Sequence, residues 1–247
     1  MFVAASTRNF RDSNFEDACT QIIDLEFDRL ELWLDDSGSQ LTTADVAGDP
    51  EAFVARYREA TRLSPAAITV AHDVSPDVLA GLAKAAKQLR VTQITLPASE
   101  VGTPFNSEIE RLRELASVTA QDGVRTSIRT ERGKLTEDPH TAVELCQAVP
   151  GLGISLDPSH YMGTPSPDAA IDLVMPHTFH VHLRDSTADS LQVQVGLGEL
   201  DYSRLISQLR RVNYNRALSI ELLPELMQDL HRPLELRKMR MLLESLL

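Results

Sequence analysis

The sequence predicts an α/β chain folded as one (β/α)8 barrel, or TIM barrel, with residues 1–247 forming a single domain. Three observations lead there. Short apolar or alternating runs recur at intervals of roughly 25 to 40 residues, and each is followed by a polar loop and a helical pattern, the layout of repeated βα units. Eight such runs can be counted: Phe2–Ser6, Leu30–Leu34, Ala67–Ala71, Gln93–Pro97, Arg125–Thr130, Gly153–Asp157, Thr178–Leu183 and Ala217–Leu222. The 247 residues match the length that eight βα units require. No Pro-, Gly- or Ser-rich linker interrupts the series, so no domain boundary is expected.

The helical segments carry start signals. Asp49-Pro50, Ser75-Pro76, Asp138-Pro139 and Ser166-Pro167 each set a capping side chain before a proline at the first helical position. Ser107 and Glu110 have the spacing of a capping box, with Ile109, Leu112 and Leu115 following on one face. Leu205, Ile206, Leu209 and Val212 form an apolar stripe in the helix after Asp201. The charged residues from Glu225 to Glu244 read as the solvated face of a terminal helix, with Leu234, Met239 and Leu242 inside.

Composition limits the function. Lys and Arg total 24 against 36 Asp and Glu, a net charge of −12 with no basic run to neutralise phosphates, so nucleic acid is not an expected partner. Cys19 and Cys146 match no metal or redox spacing and read as buried thiols in a reduced compartment. No segment has the apolar length of a membrane span, and the expected location is the cytoplasm.

Strand parity then selects candidate site residues. One parity of a barrel strand meets the apolar helices and the other faces the axis. With Ile94 and Leu96, Ile128, Ile154 and Leu156, Val181 and Leu183, and Ile220 and Leu222 outward, the axis receives Gln93, Thr95, Ser127, Arg129, Glu131, Ser155, Asp157, His180, His182, Ser219 and Glu221. Asp157, His182, Glu221 and Arg129 or Glu131 fall at the C-terminal strand ends, where barrel enzymes keep their chemistry. Ionisable groups buried together need a compensating partner, and an Asp/Glu/His set suits Mn, Mg, Co or Zn. Glu31 and Trp33, inward on the second strand, and His72 after the third are candidates for the pocket wall, as is Arg184. His180, deeper than His182, reads as a core histidine.

The segments Ser155-Leu156-Asp157-Pro158-Ser159-His160, His180-Val181-His182-Leu183-Arg184-Asp185, Val195-Gly196-Leu197-Gly198-Glu199-Leu200-Asp201 and Ser219-Ile220-Glu221 resemble, in order, successive signatures of the xylose isomerase-like TIM-barrel superfamily. The resemblance covers roughly the whole chain and is strongest from about Gly123 onward. The superfamily includes sugar isomerases, ketose epimerases, hydroxypyruvate isomerase, inosose dehydratase and apurinic endonucleases. The resemblance implies a sugar or sugar-phosphate isomerase/epimerase-like enzyme, an isomerase that moves a proton next to the carbonyl of a small polyhydroxy substrate with a divalent ion. It makes Asp157, His182 and Glu221 metal ligands, with Glu221 also the acid/base, and His160 a residue that contacts substrate or a second metal. It makes the Gly196–Asp201 stretch a tight turn whose glycines are conformational.

One position departs from the pattern. Aligned on Gly123 and Gly133, the fifth-strand glutamate ligand of the superfamily is Arg129 here, and Glu131, of the same parity, is the substitute ligand within reach. The alternative is that the Arg129 guanidinium supplies the positive charge itself, pairing with Asp157 or Glu221. The barrel is then metal-free, or impaired in catalysis and bound to a sugar-like metabolite or a partner protein. An apurinic endonuclease, the third reading, needs a richer metal cluster and a basic groove. Arg184 and Asp185 read either as contacts to substrate hydroxyls or as an exposed salt bridge. A homo-oligomer stays open.

Overall fold

Each of the eight runs becomes a strand, and the strands pair in parallel in chain order until β8 meets β1 and closes the barrel. The structure, a computed structural model, describes residues 1–38, 40–227 and 230–247. The strands are β1 Phe2–Ser6, β2 Arg29–Leu34, β3 Ser64–Val70, β4 Gln93–Leu96, β5 Arg125–Arg129, β6 Leu152–Leu156, β7 Thr178–Leu183 and β8 Ala217–Ile220. Around them lie α1 Phe15–Asp24, α2 Thr43–Ala47, α3 Pro50–Ala60, α4 Pro76–Leu89, α5 Phe105–Ala120, α6 Pro139–Ala148, α7 Pro167–Val174, α8 Tyr202–Arg211 and α9 Arg232–Leu246. Among the described residues no helix is long and apolar enough to cross a membrane.

The helix starts follow the expected chemistry at α3, α4, α6 and α7, each of which begins on its proline. Asp49, Ser75 and Asp138 accept from the backbone N–H groups of Ala52, Val78 and Thr141, donors that the helices leave unpaired. Ser166 precedes Pro167 without a side-chain cap bond. The expected capping box of Ser107 and Glu110 does not form. The helix starts at Phe105 behind Pro104, and the buried acid is Glu108, which accepts from Ser99 N (3.0 Å), Ser99 Oγ (2.6 Å) and Arg111 Nε (2.7 Å). A tertiary contact with the loop after β4 thus decides which carboxylate turns inward.

The apolar stripe of α8 buries Leu205, Ile206 and Leu209, while Val212, at the C-cap, is 37% exposed. In α9 the buried residues are Glu235, Leu236, Met239 and Leu243, and Leu242 is partly buried. Leu234 is exposed, because a start at Arg232 turns it to the outer face. Gln228 and Asp229, inside the stretch assigned to that helix from sequence, lie outside the described residues. Cys19 and Cys146 are buried free thiols whose pKa values burial pushes up to about 12.

Register layers the inward side chains. Thr95 lies beside Ser127, Arg129 beside Ser155, Ser155 beside His180 and His182 beside Ser219. Ile94, Ile128, Ile154, Val181 and Leu218 are wholly buried in the outward layer against the helices. Apolar packing outside therefore leaves the axis to polar groups, with Gln93 Nε2 donating to Thr95 Oγ1 (3.0 Å) and Ser127 Oγ at its base.

On the α1–α3 side, Phe15 packs with Phe53 and Tyr57 at ring separations of 6.3 and 5.9 Å. Phe15→Ala is expected to cost about 3–5 kcal/mol of unfolding free energy in urea titrations. Leu234→Ala, on the exposed face of α9, should stay within about 0.5 kcal/mol of wild type.

Candidate functional site

The site is assembled from the C-terminal strand ends. Immediately after β1, Ser6 Oγ accepts from Arg8 N (3.3 Å), capping a 3-10 turn that carries Arg8 over the barrel mouth. β2 contributes Glu31 and Trp33, and β5 ends on Arg129. β6 leads into Asp157 and the 3-10 turn Pro158–His160, β7 carries His180 and His182 and is followed by Arg184, and β8 is followed by Glu221.

Glu221, fully buried, is the hub. Its Oε1 accepts from Arg8 Nη1 at 2.5 Å and its Oε2 from Arg129 Nη2 at 2.5 Å. Arg184 Nη2 lies 3.5 Å from the same Oε2 and 2.8 Å from Asp157 Oδ2, and its Nε donates to the Glu221 carbonyl (2.9 Å). Arg129 Nη2 is 3.9 Å from Asp157 Oδ2. Three guanidiniums thus converge on two carboxylates, and Arg129 reaches both through one nitrogen and not as a bidentate fork. The Arg184–Asp157 pair is close but misaligned for a hydrogen bond, so Asp157 Oδ2 and Arg184 Nη2 are both buried without one. Asp157 Oδ1 is occupied by Ser159 N (3.1 Å) and Oγ (2.5 Å).

The electrostatics follow from burial set against these charges. Burial opposes ionisation of Glu221, but Arg129, Arg8 and the other cations outweigh it and hold the carboxyl far below its usual range. For Asp157 the same opposition ends lower than usual, with Arg184, His160 and Arg129 prevailing over burial. Burial pushes His160 down to about 4, so its imidazole is neutral at neutral pH; its Nδ1 accepts from Arg132 N at 3.1 Å.

Beneath this layer Glu31 accepts from both His182 Nε2 (2.7 Å) and His180 Nε2 (2.9 Å), and Ser155 Oγ meets His182 Nδ1 at 3.1 Å. Both hydrogen bonds favour ionised Glu31, and the histidines overcome burial to hold it well below the ordinary carboxylate value. Burial keeps His180 below its ordinary pKa. Among the described residues, Glu31, His180 and His182 form the one His/Cys/Asp/Glu group with ligand atoms mutually within 4.8 Å, and this group could hold a metal ion.

The donor set expected for a metal, Asp157, His182, Glu221 and Glu131, does not gather. Guanidinium nitrogens stand against Asp157 and Glu221, His182 is turned to Glu31, and Glu131 lies at the mouth beside Arg129. Two expected wall residues, Glu31 and Arg184, are fully buried against protein partners. Trp33, His72, Arg129 and Glu131 do line one cavity, of about 400 Å³, together with Arg8 and Asp36. Arg8 lies over the Trp33 ring at 4.2 Å and Arg129 at 5.2 Å. His72 Nε2 is 3.0 Å from Asp36 Oδ2. His160 opens instead on a larger cleft of about 910 Å³ on the barrel flank, with Arg132 and His140. The smaller cavity is lined directly by two guanidiniums of the ionised centre, Arg8 and Arg129.

Arg184 and Asp185 do not form an exposed salt bridge, since both are buried and they bond elsewhere. Asp185 Oδ2 accepts from Gly196 N (2.7 Å) and Gly198 N (3.0 Å). A Cβ on Gly198 would come within 1.9 Å of Asp185 Oδ1, and Gly196 has φ +96°, so the turn needs both glycines. Strand parity does not select Arg8, which lies in the turn past the end of β1. Its position just after β1 is the signal for it, because the first βα loop also opens at the mouth.

Arg184→Met should destabilise the fold by about 3–5 kcal/mol, because it strips Asp157 of its nearest cation. The sign with pH is also set. Glu221 and Asp157 titrate lower in the folded than in the unfolded chain, so the stability they add is present above the unfolded carboxylate pKa of about 4 and is lost as pH falls through the folded values. Urea titrations of Glu221→Gln should show a shallower acid limb below about pH 4.5 than wild type.

Among solved structures, the fold is similar to the probable 3-DHS dehydratase AsbF of Bacillus anthracis, with TM-score 0.75, 18% identity and 99% of each chain covered. It is similar to the D-allulose 3-epimerase of a Methylomonas species, with TM-score 0.74, 13% identity, and 100% of this chain and 98% of that one covered. A xylose isomerase-like TIM barrel protein from Mycobacterium smegmatis, solved in complex with magnesium, gives 0.75 and 15% over 98% and 97%. No curated protein matches the sequence significantly. The family model described as xylose isomerase-like TIM barrel matches residues 22–244. With that span and the closed eight-stranded barrel, the chain belongs to the xylose isomerase-like TIM barrel family.

Proposed function

We propose that this barrel is a sugar-modifying enzyme that moves a proton at the carbon next to the carbonyl of a small polyhydroxylated compound bound in the cavity of about 400 Å³. The observation that carries the reading is the pair of guanidiniums, Arg8 and Arg129, clamped by Glu221 and lining that cavity beside Trp33. N–H groups on an immobile guanidinium are preorganised donors for an oxygen that gains negative charge, as a carbonyl oxygen does when its neighbouring carbon loses a proton. Family membership, and the sugar epimerase and dehydratase with this fold, support the same chemistry.

Proton transfer needs a base whose proton affinity suits neutral pH. Glu221 is held far from that range by its arginines, so its part is to fix Arg8 and Arg129 in place. The proton acceptor in this proposal is Glu131, which lines the cavity beside Arg129. Trp33 walls the pocket, and His72, tied to Asp36, stands ready to bond a ligand hydroxyl. Glu31, His180 and His182 would hold a divalent ion, which there would act as a structural cation below the reacting groups.

A second reading, a barrel that binds the same kind of compound without turning it over, is favoured by the locked state of Glu221. Solvent deuterium exchange, followed by NMR over a panel of neutral ketoses, aldoses and inosose-like compounds, separates the two. Exchange next to the carbonyl is expected, falling about a hundredfold in Glu131→Gln. Binding without exchange would select the second reading, and neither binding nor exchange would overturn both.

A further inference from the structure

The strongest disagreement between this chain and the metal chemistry its motifs imply lies at Asp157 and Glu221. An ion using both carboxylates has to sit about 2.0–2.2 Å from an oxygen of each. Arg184 Nη2 already stands between them, 2.8 Å from Asp157 Oδ2 and 3.5 Å from Glu221 Oε2. Arg129 Nη2 is 2.5 Å from that same Glu221 oxygen and 3.9 Å from that same Asp157 oxygen. His182, the third expected ligand, directs Nε2 to Glu31 at 2.7 Å and leaves Glu221 at 3.7 Å.

Charge balance points the same way. Two buried carboxylates, Asp157 and Glu221, already have three guanidiniums set against them, Arg8, Arg129 and Arg184. Guanidiniums therefore already outnumber the carboxylates they surround. A divalent ion between those carboxylates would add positive charge beside guanidiniums already in excess. Both guanidiniums also have packing that holds them in place: Arg184 is fully buried with Nη1 on Ser159 Oγ at 3.1 Å, and Arg129 stacks near Trp33.

We propose that Arg129 and Arg184 are resident cations that take the place of the divalent ion at Asp157 and Glu221, so that this chain binds no metal between those carboxylates. The proposal rests on the geometry of the centre and is independent of the reaction assigned above, because its readout is metal affinity and location. A failure here leaves the exchange experiment to judge the reaction by itself.

The test uses the full-length protein, stripped with a chelator and titrated with Mn²⁺ while free Mn²⁺ is read by electron paramagnetic resonance. Wild type and Asp157→Asn should give the same titration. The double variant R129E/R184Q should bind Mn²⁺ at least about tenfold more tightly, and adding D157N should abolish the gain. Crystals of wild type soaked in Mn²⁺ give a second measurement should the double variant fail to fold. Anomalous density that is absent, or confined to Glu31, His180 and His182, upholds the proposal. Density between Asp157 and Glu221, a wild-type Mn²⁺ site lost in Asp157→Asn, or a folded double variant with no gain would each overturn it.

Discussion

The cluster in which Glu221 receives Arg8 and Arg129 at 2.5 Å each, with Arg184 joining it to Asp157, is the constraint on which the mouth of this barrel depends. Its members come from the ends of β1, β5, β6, β7 and β8, so the ion pairs tie together strand ends far apart in sequence. Removing one charge strands its partner in a dry interior, which makes the cluster all-or-none in character. The same rigidity gives it a chemical use, since a guanidinium already held in place needs no reorganisation to face a developing oxyanion.

This centre exists because the outward parity of the strands is apolar. Ile94, Ile128, Ile154, Val181 and Leu218 seal the sheet to its helices, and the inward parity is free to carry Gln93, Ser127, Ser155, His180 and Glu31 in successive layers. The histidines settle Glu31, and the arginines settle Glu221 and Asp157. One scaffold therefore holds two kinds of buried carboxylate, one answered by histidine N–H groups and one by guanidiniums.

The strands were legible because eight apolar runs with a shared period have few other ways to bury their outer faces. Asp49, Ser75 and Asp138 could be read as caps because the interaction spans three residues. Where a long-range contact competes, local reading fails: Ser99 and Arg111 recruit Glu108, and the start of α9 turns Leu234 outward. Asp185 is the clearest case, adjacent in sequence to Arg184 yet bonded to Gly196 and Gly198 across a loop.

For the site, the sequence by itself determined which side chains point to the axis, because strand parity alternates strictly: Arg129, Asp157, His182 and Glu221 are all there. Only the tertiary structure decided who answers whom. Arg8 enters from the first loop, Arg184 turns inward between two carboxylates, and His182 goes to Glu31. Parity is a property of one strand, whereas the balance of buried charge belongs to several strand ends together, and no segment carries it alone.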